Sequence, residues 1–117
     1  MLDDSRRLRG RAREIVEEPS HELRLSVASI WEISIKAHSG RLGLPLRSAA
    51  QFQAQLQATN VRLVEIELAH AITAGALPRE HGDPFDRMIV AQARSLGVPI
   101  VSADAKLAAY DVEVIAD

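Results

Sequence analysis

The segment HGDPFDRMIVAQARSLGVPIVSAD, His81 to Asp104, reads as a helix delivered directly into a strand. An aspartate before a proline is a helix-start signal. The carboxylate accepts the free N–H groups of the first turn, and proline at the first helical position gives up no hydrogen bond. The spacing predicts a helix over Pro84 to Leu96 with Ile89, Val90 and Ala93 on its buried face. Gly97 stops it, and Val98 to Ser102 is a short apolar run of strand type. A helix running into a short buried strand is one unit of a parallel sheet. Sites in such sheets gather at the C-terminal ends of the strands, here beside Asp104.

Outward from this segment the alternation continues. Asp4 to Glu17 has helix-forming composition, Leu23 to Val27 alternates as a short strand, and Ile30 to His38 is helical. Ser48 to Ala58 reads as a helix with Phe52 and Leu56 one turn apart, and Val61 to Ile66 alternates as a strand. Glu67 to Ala76 is helical, Lys106 to Tyr110 adds a helical turn, and Val112 to Ile115 is a last short strand. Glu18-Pro19-Ser20 and Gly40 to Pro45 are loops within a domain. The expectation is one α/β domain over residues 1–117, a mostly parallel sheet flanked by helices in three layers.

A chain of 117 residues that is 47% hydrophobic has the size and apolar content of one ordinary domain. Its net charge of −2 gives no global basic field, so nucleic-acid binding would rest on a local patch. The absence of cysteine excludes disulfides, thiolate metal sites and cysteine nucleophiles together. The charged opening MLDDSRRLRG and the lack of any run of membrane-spanning length point to a soluble cytoplasmic protein with no membrane partner. There is no Gly-rich phosphate loop and no GxSxG elbow. His21, His38, His70 and His81 show no metal-ligand spacing and read as surface or capping residues.

The acidic residues each have a structural reading and a chemical one. Ser29-x-x-Glu32 has the form of a capping box, and Glu32 and Lys36 form a favourable i,i+4 pair; alternatively Glu32 faces a cleft near the strand ends. Asp83 is explained as the cap of the helix that Pro84 begins. Asp86 falls in the first turn, on the flank of the Ile89, Val90, Ala93 face, where a carboxylate is costly unless it is paired or holds a cation. Asp104 either caps the turn begun by Ala105 and Lys106 or is presented as a ligand past its strand. Glu32, Asp86 and Asp104 together suit phosphoryl transfer with a hard cation, because Mg2+ and Mn2+ take oxygen ligands from a few carboxylates, waters and substrate phosphate.

SVASIWEISIKAHSGRLGLP and HGDPFDRMIVAQARSLGVPIVSAD, with LPREH before the latter, resemble the PIN-domain family, most closely the VapC-type toxins of bacterial type II toxin–antitoxin pairs. The resemblance runs from about Arg11 to the C-terminus. It implies an endoribonuclease in which Glu32, Asp86 and Asp104 ligate Mg2+ or Mn2+ and position the water that attacks an RNA phosphodiester. Asp83 is implied as helix cap or support behind the ligands, and Arg87 and Lys36 as residues contacting RNA backbone or as surface residues. The implied partners are a cognate antitoxin, RNA and a second copy of the chain.

Members of the family open with an apolar strand ending in aspartate. LDDSRRLRGRAREIV matches the segment after it, so Asp3 and Asp4 are not that ligand. The expectation is therefore a sheet lacking its central strand and that strand's carboxylate, with the neighbouring strands unpaired there. This departure motivates a second reading, a PIN remnant that dimerises or binds antitoxin without cleaving RNA. A third, a receiver-like phosphoacceptor suggested by Asp3, Asp4 and Lys106, lacks the strand that should precede its acidic pair.

Overall fold

The computed structural model describes residues 1–2, 10–39, 48–78, 83–102, 105–110 and 112–115. Asp3, Asp4, His81, Asp104 and the loop from Gly40 to Pro45 lie outside the described residues, as does the side chain of Lys106. The elements in chain order are α1 (Gly10–Glu17), β1 (Leu23–Ser26), α2 (Val27–His38), α3 (Ala49–Gln57), β2 (Val61–Val64), α4 (Leu68–Ala76), α5 (Pro84–Leu96), β3 (Ile100–Val101), a 3-10 turn (Ala105–Tyr110) and β4 (Val114–Ile115).

Every strand pairing among the described residues is parallel, as the alternation predicts. β1 pairs with β2 from Leu23 opposite Val61 to Ser26 opposite Val64, and β3 pairs with β4. The centre between β1 and β3 departs from the expectation of unpaired neighbours. Leu2 forms parallel bridges to both Leu25 and Val101. Its N–H donates to the Arg24 carbonyl at 2.8 Å, and the Val101 N–H donates to the Met1 carbonyl at 2.7 Å. Two apolar residues thus join the strand pairs in the order β2, β1, residues 1–2, β3, β4. They do so because a buried edge N–H or C=O without a partner is costly, and any short extended segment can satisfy it.

α5 has the bounds the sequence predicts. Asp83 Oδ1 accepts the N–H groups of Phe85 at 2.9 Å and Asp86 at 3.3 Å, and Pro84 occupies the first turn. At the other end Gly97 adopts φ 68°, ψ 34°, a left-handed conformation in which a side chain is strained. Between these ends Ile89, Val90 and Ala93 are fully buried and join Met1, Leu77, Ile100, Leu107 and Tyr110 in the core.

α2 starts three residues before its expected beginning. Ser26 closes β1 and caps α2 in the same step, its Oγ accepting the Ala28 N–H at 3.0 Å. The strand-like alternation of LRLSV hides this, since Val27 tolerates the first helical position as well as a strand. The capping box of Ser29 with Glu32 is therefore not formed. Ser29 lies inside the helix, fully buried, and its Oγ has no hydrogen-bond partner among the described residues.

Candidate active site

Two of the three carboxylates singled out in the sequence are described, and both stem from the junction of α2 and α5. These helices pack against each other, and Trp31 of α2 meets Phe85 of α5 edge to face with ring centroids 5.2 Å apart. Trp31 immediately precedes Glu32, and Phe85 immediately precedes Asp86. Edge-to-face geometry is the arrangement ring quadrupoles favour. Here it fixes how the two acid-bearing turns meet.

Glu32 is drawn inward, its side chain only 16% exposed, and its Oε2 lies 3.8 Å from Lys36 Nζ. An inward carboxylate with an ion-pair partner is a group whose charge is held rather than left to water. The i,i+4 pair expected from the sequence is thus present, though the capping box is not. Asp86 is half-buried in the first turn of α5, where the helix dipole favours negative charge. β3 ends at Val101, and the chain reaches Asp104, outside the described residues, three positions later.

The other residues fall into structural roles. Asp83 spends its Oδ1 on capping α5, in agreement with its sequence reading. Arg87, read from the sequence as an RNA-backbone contact or a surface residue, is engaged with backbone carbonyls. Its Nη2 donates to the carbonyls of Ala74 at 3.0 Å, Gly75 at 3.2 Å and Leu77 at 2.6 Å, and its Nε donates to Ala74 at 3.2 Å. The guanidinium fork closes the C-terminal end of α4, where carbonyls lack helical partners. His70 fulfils the capping reading at the opposite end, its Nδ1 accepting the Glu67 N–H at 3.1 Å. Lys36 is held near Glu32.

Sequence reasoning missed the Trp31–Phe85 contact. Its only signal was the recurrence of an aromatic residue directly before an acid, in WE and in FD.

Among the described residues, no group of three or more His, Asp or Glu side chains gathers to hold a metal. The two described acids nevertheless fit a hard cation in their chemistry: both donors are carboxylate oxygens, and the chain contains no cysteine thiolate. Ser29 adds a buried hydroxyl, without a partner among the described residues, one turn before Glu32 on the same helix. Such a pair of acids can take part in holding a divalent ion against a phosphate. No helix among the described residues is long and apolar enough to cross a membrane. No curated protein matches the chain. A family model described as the PIN domain matches residues 1–113.

Proposed function

The chain belongs to the PIN-domain family, whose members are in general nucleases that use divalent metals, and from that premise we propose that it is a Mg2+- or Mn2+-dependent endoribonuclease, the toxin of a type II toxin–antitoxin pair. The observation that carries this reading is the common origin of Glu32 and Asp86 at the α2–α5 junction, with their chain neighbours Trp31 and Phe85 in contact. Asp104, following β3, is the third ligand in the proposal.

A bound Mg2+ or Mn2+ would supply charge stabilisation at the phosphate and a more acidic water as nucleophile. The chain's own residues do the rest. Glu32 and Asp86 present oxygens from two helices, so their separation is set by helix packing and not by a loop. Asp83 caps α5 and thereby fixes the turn from which Asp86 projects. Lys36 offsets the charge of Glu32 when no cation is bound. The proposed setting is cytoplasmic, with a cognate antitoxin and a homodimer as partners.

The test is cleavage of single-stranded RNA with Mg2+ or Mn2+ against the Asp86→Asn variant. Metal-dependent cleavage that the variant abolishes supports the reading; cleavage unaffected by the variant or by chelation overturns it. A second reading, a non-catalytic module that dimerises or captures antitoxin, is favoured by Leu68 and Ile72, one turn apart on α4 and 79% and 65% exposed. It predicts stable antitoxin binding with no cleavage at any concentration of either metal.

A further inference from the structure

The four aromatic residues of this chain are Trp31, Phe52, Phe85 and Tyr110, and they are not disposed alike. Tyr110 is buried in the core, and Phe52 and Phe85 are half-buried. Trp31, the single tryptophan, is 61% exposed. A ring of that size left in water forgoes a large hydrophobic gain, and tryptophan is the residue most often held back for recognition.

Its position narrows what it would recognise. One position along a helix turns the side chain by about 100°, so Trp31 lies on the solvent flank of the stripe carrying Glu32 and Lys36. Trp31 precedes Glu32 in the chain, and its ring meets edge to face that of Phe85, the residue before Asp86. Phe85 limits the indole's motion, so less freedom is lost when a ligand stacks on it. A flat π-face at the edge of the proposed phosphate site matches a nucleotide, whose base is flat and whose backbone is charged. Unpaired bases stack on such rings irrespective of sequence, whereas the bases of a duplex already stack on one another.

We propose that Trp31 is a base-stacking platform at the edge of the Glu32–Asp86 junction, taking an unpaired base of a single-stranded RNA next to the phosphate bound there. This deepens the nuclease reading by naming a residue that holds the substrate's base, and for the position of the phosphate it rests on that reading. The competing occupant is a protein helix. It would use Ile35, one turn further along α2 and 47% exposed, together with Trp31.

Because Trp31 is the only tryptophan, emission from the full chain reports on this ring alone. The experiment titrates the protein in chelator, where cleavage is absent, with a single-stranded RNA oligonucleotide and with the same strand annealed to its complement. The single strand quenches Trp31 emission saturably, and the duplex needs at least about five times more for the same effect, given what one stacked base contributes. In the presence of Mg2+ or Mn2+, Trp31→Ala raises KM for single-stranded RNA roughly tenfold while lowering kcat far less, and Trp31→Phe restores most of the loss. Ile35→Ala leaves both constants as they were.

Emission indifferent to single-stranded RNA, or equal quenching by duplex, overturns the proposal. So does an Ile35→Ala variant as impaired as Trp31→Ala, which would assign the surface to a protein partner. If the wild-type protein cleaves nothing with either metal yet is quenched selectively by the single strand, the nuclease reading fails and the stacking platform stands.

Discussion

Trp31 and Phe85 meet edge to face, with ring centroids 5.2 Å apart and planes inclined at 72°, joining α2 to α5 at the turns that carry Glu32 and Asp86. Truncating either ring should therefore act on two levels. Phe85→Ala removes the ring contact and part of a half-buried side chain, a loss of about 2 kcal/mol in unfolding free energy. Phe85→Leu keeps most of the burial without the edge-to-face pair and should lose about half as much. Urea denaturation followed by circular dichroism measures both. RNA cleavage should fall in the same order, although Phe85 contributes no oxygen. Equal stability of Phe85→Ala and wild type would show that the ring pair does not hold the junction.

Asp83 and Asp86 should separate cleanly under mutation. Asp83→Ala removes the acceptor of the Phe85 and Asp86 N–H groups and should destabilise the protein by about 1 kcal/mol, whereas Asp83→Ser keeps a capping oxygen and most of the stability. Asp86→Asn preserves the shape of the first turn and loses only the charge. It should leave stability within about 1 kcal/mol of wild type while abolishing Mn2+ binding, measured by the free-ion resonance signal. The reverse assignment, with Asp83→Ser losing the ion and Asp86→Asn keeping it, would exchange their roles.

How much of this could be read from the sequence depended on whether the signals were local. The bounds of α5 were legible because Asp83, Pro84 and Gly97 act on the helix they adjoin. The start of α2 was not, because Ser26 and Ser29 both precede a helix-forming run, and only burial decides between them: Ser26 caps, and Ser29 disappears into the interior. The role of Arg87 was invisible for a different reason. Its acceptors are backbone carbonyls of α4, contributed by Ala74, Gly75 and Leu77 irrespective of their side chains, so no residue pattern marks them. The bridges made by Leu2 are backbone bonds of the same kind. The pairing of Glu32 with Lys36 needed only helix periodicity and was legible. The α2–α5 contact that puts Glu32 and Asp86 at one junction is tertiary, and it needed the structure.

Arg87 should prove to be a stability residue. Arg87→Ala leaves the terminal carbonyls of α4 without their shared donor at the contact between α4 and α5, costing about 2–3 kcal/mol by the usual worth of charged hydrogen bonds. Arg87→Lys should recover less than half of this, because one ammonium cannot reproduce a fork that spans three carbonyls. Thermal unfolding of the three proteins provides the comparison. A loss of RNA affinity by Arg87→Ala at unchanged melting temperature would instead return Arg87 to the nucleic-acid surface.

The amino group of Met1 should give the fold a pH dependence near neutrality. It donates to the Pro99 carbonyl at 2.9 Å, and burial, reinforced by the positive charge of Arg24, lowers its pKa from 8.0 to about 6. Between these two values the unfolded chain binds the proton more fully than the folded one, so stability rises with pH across that window. The full contribution is present above pH 8 and is lost as the pH falls through about 6, where the buried amine must carry its charge in the fold. Placing one residue before Met1 turns the amine into a neutral amide. The difference in denaturation midpoint between the two proteins should then change between pH 8 and pH 6, the unextended protein losing more. The side-chain groups are common to both proteins and cancel in that difference, and acetylating the added residue removes its own amine from the comparison. A difference that stays flat across the window would show that the amine is solvated, and that the hydrogen bond to Pro99 does not hold residues 1–2 between β1 and β3.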